Sequence, residues 1–482
     1  MVRAAAEVFA GLPPARQDGA ALRASIRAMR AADGMLIGVL DDDPTGSQAV
    51  HGVQVVTVLD DHVYRAALGG AAGTCFVLTN SRSVGERVGA ALTTRAARGL
   101  VAAAGRLGAP IDLVSRSDST LRGHVLAEVA ALAAVRREAT GRAVDAVLLV
   151  PAFIEAGRLT AADVHWARTS SGLVPVGETE FARDPVFGYA ASDLRDFVAA
   201  KSGGAIARDG IASIGLTDIR IGGPSRVRDL LAGLQHGTWV VVNAVEYSDL
   251  ETVACGVRAA ERAGKSFLFR TGPSFVRALA GLEPQAPLGG EQLASAHGRG
   301  GHGLIVVGSH VGQTSRQVAD LRARGGTTDV ELDVPAVIAG AGEVVAASAE
   351  RVTGALRHSD VLLYTSRAFV PGDGADPLAA GRAVSAALAR IAAGALAARP
   401  AWVIAKGGIT SHDVAVAGLG IRRAEVAGQI FPGLVSVFRP LDAAPEAIGI
   451  PYVVFPGNVG GDRALGEVVA ILRGQPGPPA CG

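Results

Sequence analysis

Short runs of β-branched residues alternate with long alanine-rich stretches over most of the chain, and this rhythm limits the fold more than any other feature. Residues 35–40, 53–58, 75–79, 111–115 and 146–150 read as strands. Helix-length segments such as 85–106 and 125–138 lie between several of them. Parallel strands need long crossovers, so this pattern predicts a largely parallel sheet covered by helices. A second series follows at 304–307, 330–332, 361–365, 402–405 and 452–455. Between the two lies 281–303, rich in Gly, Pro and Gln, where the domain boundary is expected. The chain's 482 residues are too many for one ordinary core. The expected fold class is α/β with two domains, each built on a largely parallel sheet flanked by helices. The expected boundaries are an N-terminal extension at 1–33, a first domain at 34–285, a linker at 286–302 and a second domain at 303–475. The extension reads as a short helical or frayed segment outside the first sheet.

Composition narrows the function classes. The formal net charge is +1, without the basic excess that wholesale nucleic-acid binding brings. No continuous apolar run of about 18 residues stands out, so no membrane span is expected. The three cysteines, Cys75, Cys255 and Cys481, are far apart and form neither a disulfide framework nor a metal spacing. That usage fits a reducing cytoplasm.

The polar clusters fall just after expected strands, where open α/β sheets bind their ligands. The first is Asp41-Asp42-Asp43-Pro44-Thr45-Gly46-Ser47-Gln48. Three adjacent carboxylates repel one another, so water, a cation or a hydroxyl-rich ligand must compensate. The competing reading is a solvated acidic turn before a helix. The second is Ser115-Arg116-Ser117-Asp118-Ser119-Thr120-Leu121-Arg122-Gly123-His124. It combines two guanidinium groups, which grip carboxylates, with a carboxylate and hydroxyls suited to sugar hydroxyls. A helix cap would use one of these residues, not the whole run. Asn80-Ser81-Arg82-Ser83 is a smaller cluster of the same character. The segment from Pro151 through Arg158 and His165 to Glu180 has no chemical logic readable from sequence; a lone histidine such as His165 reads as structural.

The second half carries three Gly/Ser loops after strands: Gly308-Ser309-His310, Lys406-Gly407-Gly408-Ile409-Thr410-Ser411, and Pro456-Gly457-Asn458. Main-chain N–H groups in such loops cradle anions, and three in one domain point to a polyphosphate. Two look-alikes are set aside. The spaced glycines at 298–303 precede a strand rather than follow one, so they read as linker. Ala263-Gly264-Lys265-Ser266 lacks the first glycine of a P-loop and follows a helix; Gly264 reads as its C-terminal residue.

These motifs together resemble the four-carbon acid sugar kinase family. The family's Asp-Asp-x-Thr-Gly motif is similar to Asp42-Asp43-Pro44-Thr45-Gly46, and its Asp-Ser-Thr-Leu-Arg-Gly motif stands intact from Asp118 to Gly123. The Gly-Ser, Gly-Gly-x-Thr-Ser and Gly-Asn loops match Gly308-Ser309, Gly407 to Ser411 and Gly457-Asn458. The resemblance implies an ATP- and Mg²⁺-dependent kinase acting on a small sugar acid in a cleft between its two domains. It implies that Asp42, Asp43, Arg82, Arg116, Ser117, Asp118, Ser119 and Arg122 hold the acid. Among them Arg116, Arg82 or Arg122 would clamp the carboxylate, and Asp118 or Asp43 would accept the hydroxyl proton. Ser309, Gly407, Gly408, Ile409, Thr410, Ser411, Gly457 and Asn458 would hold ATP. No protein metal site, nucleic acid or membrane is implied, and a homodimer is compatible. The alternatives are an NAD-dependent hydroxy-acid oxidoreductase and a non-catalytic sugar-acid-binding protein.

Overall fold

A computed structural model describes residues 2–43, 45–293, 301–366 and 377–475, with side chains from 380 in the last stretch. Pro44, Cys481 and residues 298–300 of the spaced-glycine stretch lie outside the described residues. The chain forms two compact units, 1–284 and 285–482.

The first unit contains β1 (Leu36–Asp41), β2 (Gln54–Val56), β3 (Thr74–Leu78), β4 (Ile111–Arg116) and β5 (Ala146–Val150), then β6 (Arg158–Ala161), β7 (Val164–Thr169) and β8 (Gly172–Pro175), then β9 (Ala212–Ile214), β10 (Thr238–Val242) and β11 (Phe267–Thr271). Its main sheet runs β2-β3-β1-β4-β11-β5-β10-β9. Every pairing in it is parallel. The strands are nearly continuous apolar runs because helices bury both faces. From β1 the chain moves to β3 and β2 on one side and then to β4 on the other. That reversal opens a crevice at the C-terminal ends of β1 and β4, where Asp41 and Arg116 lie in register. Strands β6, β7 and β8 form a separate antiparallel sheet, absent from the sequence-based expectation. Its alternation is short and broken by Ala162 and Asp163, both at positive φ.

The N-terminal segment is ordered into this unit. Helix Gly19–Asp33 buries Leu22, Ile26 and Arg30. Arg30 donates to the carbonyls of Ala280 at 2.9 Å and Ala72 at 3.1 Å, tying the helix to the end of helix Pro273–Ala280 and to the turn before β3.

The second unit holds β12 (Leu304–Val307), β13 (Thr327–Leu332), β14 (Asp360–Thr365), β15 (Val403–Lys406), β16 (Arg423–Phe431), β17 (Val435–Asp442) and β18 (Tyr452–Phe455). The order is β13-β14-β12-β15-β18-β17-β16, parallel as far as β18 and antiparallel beyond it. The chain reverses direction across the sheet between β12 and β15, which puts two of the glycine loops at that switch point. The β16–β17 hairpin was not anticipated; its first strand alternates buried and half-buried residues, and bulges break its register. One helical stretch, Ala380–Ala398, is long and apolar enough to cross a membrane by length and composition, against the sequence-based expectation. Its alanines supply that apolarity, and 56% of it is buried within the protein, as a core helix requires.

Ile26 is fully buried. Ile26→Ala should therefore destabilise the N-terminal unit by about 2–5 kcal/mol, seen as a lower urea midpoint for that unit's transition.

Candidate functional site

The acidic turn after β1 is not a solvated cap. Asp41 and Asp42 are buried, at 0% and 2% exposure. The compensation comes from arginine: Arg116 at the end of β4 donates to Asp41 at 2.8 Å, and Arg82 pairs with Asp43. Main-chain bonds knit the turn to its neighbours. Asp42 N–H donates to Arg116 O at 3.2 Å, and Thr79 N–H to Asp41 O at 2.9 Å. Asp43 accepts from both the N–H and the hydroxyl of Thr45, at 2.7 and 2.6 Å. A Cβ on Gly46 would overlap the Asp41 carboxylate, so only glycine lets the turn close over it.

The loop after β4 is equally committed. The helix that follows, Val125–Thr140, has no side-chain cap, so the loop's polar groups serve other ends. Asp118 accepts from Arg122 Nε at 2.6 Å and from the Thr120 hydroxyl, and lies 3.7 Å from Arg82. Arg82 thereby stands between Asp43 and Asp118, one residue from each of the two motifs. Ser117 donates to Asp42. Leu121 adopts a left-handed φ of 67° while buried, a strained conformation that the surrounding bonds must hold. Gly123 has φ 119°, and a Cβ there would come within 2.9 Å of Arg270 Nη2, Asp42 Oδ2 and Ser117 Oγ.

The electrostatics divide these acids. Burial pushes Asp41 up to about 7, with Arg116 pulling the other way. Burial also raises Asp42, against the pull of Arg82. Burial opposes ionisation of Asp43 and Asp118 too, but their partners prevail. Arg82 and Thr45 hold Asp43 below the usual carboxylate range. Arg82, Arg122 and Thr120 bring Asp118 down to about 2. Asp118, Ser117, Arg122, Arg270 and Thr271 line a recess beside this loop. Several buried polar atoms of the two motifs and their neighbours have no hydrogen-bond partner: Asp41 Oδ2, Asp42 Oδ1, Ser47 Oγ, Arg82 Nη1, Arg116 Nε and Thr271 Oγ1. Unsatisfied groups at this density fit a hydroxyl-rich ligand that bonds to them.

Supporting residues escaped the sequence reading. Arg270 on β11 donates to the hydroxyls of Ser115 and Ser117, each at 2.6 Å, and pairs with buried Glu128. Glu128 also accepts from Ser81 at 2.6 Å. The signals existed: an arginine ending the apolar strand Phe267–Thr271, and a glutamate on the buried face of helix Val125–Thr140. His165 is structural: its Nε2 bonds the Ser119 carbonyl at 2.8 Å, its Nδ1 bonds Thr160 at 2.9 Å, and burial drives it down to about 4. Tyr189 OH donates to the Thr120 carbonyl at 2.5 Å. The small sheet and the segment after it thus brace the second motif from outside.

The Arg116 side chain is 6% exposed, its Nη1 donating to Asp41 while its Nε has no partner.

In the second unit the three glycine loops converge. A Cβ on Gly308 would overlap Thr410, and one on Gly407 would stand 3.2 Å from Thr410 Oγ1 and 3.3 Å from Ser309 Cβ. One on Gly457 would lie 2.7 Å from Ser309 Oγ. Thr314 donates to Gly457 O at 2.8 Å and to Ser309 Oγ at 3.1 Å. Ser411 is turned inward, its hydroxyl donating to Ala405 O at 2.8 Å, while Ile409 and Asn458 are exposed at the rim. Lys406 is buried below, its Nζ 3.0 Å from Pro456 O and 3.8 Å from the centre of the Phe455 ring. The loops pack main chain against main chain, with the N–H groups of Gly308 and Gly407 donating to Lys406 O at 3.3 Å and Phe455 O at 2.9 Å. Among the described residues no three His, Cys, Asp or Glu side chains are grouped as a metal site.

Comparison with known proteins agrees with this division. A family model described as a sugar-binding N-terminal domain matches residues 37–279, and one described as a nucleotide-binding C-terminal domain matches 304–465. The chain belongs to the four-carbon acid sugar kinase family. It is similar to a D-threonate kinase of Salmonella typhimurium, 31% identical over 261 residues, covering 54% of this chain and 55% of that one. A D-threonate kinase of Cupriavidus necator is also 31% identical, over 362 residues, covering 74% and 78%. The match to the first thus spans just over half of that relative's length. The crystal structure of a Haemophilus influenzae protein shares the fold, with a TM-score of 0.62 at 19% identity over 90% of this chain and 100% of that one.

Burial pushes the Lys406 ammonium down to about 7. Unfolded, it keeps its proton up to about 10.4, so between these values the unfolded chain binds the extra proton and stability rises with pH. The C-terminal unit should gain stability from pH 7 to pH 10 in denaturant titrations, and Lys406→Met should abolish that gain.

Proposed function

We propose that this protein is an ATP-dependent kinase that phosphorylates a hydroxyl of a four-carbon, or similar-sized branched, sugar acid such as threonate, erythronate or an oxo-tetronate. The observation that carries the reading is the meeting of two motifs around Arg82. It leaves an ionised Asp118 on a recess, and the two motifs and Thr271 carry buried hydrogen-bonding groups without partners. The D-threonate kinase names of two relatives support the same substrate class.

Phosphoryl transfer needs alignment and charge neutralisation more than covalent chemistry. In this reading Asp42, Ser117 and Ser47 hold substrate hydroxyls, and Asp118 accepts the proton of the attacking one. Asp118 is the better candidate than Asp43 because it lines the recess, although both carboxylates carry a hydroxyl and a guanidinium partner. A carboxylate held near pH 2 is a weak resting base. It suits a proton that leaves late, when the acceptor oxygen has already begun to bond to phosphorus. The nucleotide's phosphates would lie on the N–H groups of the Gly308, Gly407 and Gly457 loops. Mg²⁺ bound to those phosphates would neutralise charge on the transferred group, with few ligands from the protein.

An ADP-release screen over four- and five-carbon sugar acids tests the reading; turnover with at least one acid is expected, and nucleotide hydrolysis indifferent to every acid would reject it. With the best acid, Asp118→Asn should lower kcat by about 10²- to 10⁴-fold while the KM for ATP stays near wild type. A near-normal kcat would move the proton-accepting role to Asp43.

A further inference from the structure

Arginines crowd the two N-terminal motifs and their surroundings, and nearly all are spoken for. Arg82 is paired with Asp43, Arg116 with Asp41, Arg122 with Asp118 and Arg270 with Glu128. Arg158, at the start of β6, is the exception. Its Nη1 donates to the Ala156 carbonyl at 2.8 Å, and its buried Nε has no partner. No carboxylate of the described residues forms an ion pair with it. It shares the Phe181 ring with Arg122, the two guanidinium carbons lying 5.7 and 5.1 Å from the ring centre. Asp118 acts on it electrostatically, which sets it in the neighbourhood of the second motif.

We infer that Arg158 is the carboxylate-binding residue of the acceptor site: its guanidinium, held against Phe181 and lacking an acidic partner, takes the anionic end of the substrate. The inference rests on the sugar-acid reading above and assigns the anion's grip to the small sheet rather than to either motif. The physical case is one of charge balance. A partly buried guanidinium without a counter-ion is costly, and an incoming carboxylate supplies two parallel acceptors for its fork. Burial lowers Arg158 below its ordinary range, with Asp118 opposing, so desolvation by the protein outweighs its existing carboxylate neighbour. The arginines already paired would have to break a bond to do the same work.

The transferring phosphoryl group is also anionic, so the test must tell the two sources apart. Threonate and the uncharged polyol threitol serve as probes, with binding followed by calorimetry and turnover by ADP release. Arg158→Gln should weaken threonate binding and raise its KM by about 10- to 100-fold, the worth of a charged hydrogen-bonded pair. The KM for ATP and the affinity for threitol should stay within about twofold in that comparison. Threonate affinity unchanged in Arg158→Gln, or a fall in kcat with unchanged KM for the acid, would overturn the assignment. The second result would place the charge on the phosphoryl group. Should the variant misfold by circular dichroism, phenylglyoxal labelling of wild-type Arg158, read by mass spectrometry, decides instead. Protection by threonate and not by threitol supports the assignment, and equal rates with both overturn it. Failure of the kinase reading shows separately, as absence of acid-dependent ADP release from a protein that still binds threonate.

Discussion

The N-terminal site exists because Arg82 sits between two carboxylates from different loops. Asp43 belongs to the turn after β1 and Asp118 to the loop after β4, and each would be costly to bury alone. Their shared counter-ion lets both stay ionised at the rim of a sheet otherwise made of Val, Leu and Ile. Around this pair the other buried acids find their own cations, Asp41 with Arg116 and Glu128 with Arg270. The result is a shell of alternating charge rather than a bare acidic patch. Its remaining hydrogen-bonding capacity lies on Asp41, Asp42, Ser47, Arg82, Arg116 and Thr271.

The C-terminal site is built on the opposite principle. Its loops bring few charged side chains to their meeting point and much main chain. The buried cation there, Lys406, faces carbonyls and an aromatic ring rather than a carboxylate. A surface of N–H groups adapts to a polyphosphate because each donor is weak and several act together. One unit thus gathers paired charged side chains at its strand ends, the other gathers backbone.

Much of this was legible in the sequence because the chemistry sits on strand ends. Strand positions such as Ala146–Val150, Leu304–Val307 and Tyr452–Phe455 could be read from their apolar runs, and the motif residues followed at once. Asp42, Ser117 and Arg82 do converge. What stayed hidden was pairing: nothing in the order of residues says that Arg116 spends its charge on Asp41, or that Arg270, more than 140 positions from Glu128, completes its ion pair. The small sheet was also opaque. Its three short strands have too few residues to establish a period, and its purpose lies in contacts such as His165 with Ser119, which are made only after folding.

The glycines that close the two acid-site loops carry one more implication. With Gly46 roofing Asp41 and Gly123 hemmed in by three polar atoms, neither loop can accept a side chain without dismantling the ion pairs beneath it. That wall of the N-terminal site therefore cannot be filled in at either glycine. A laboratory reshaping this site would have to work through other positions, leaving both glycine-closed loops untouched.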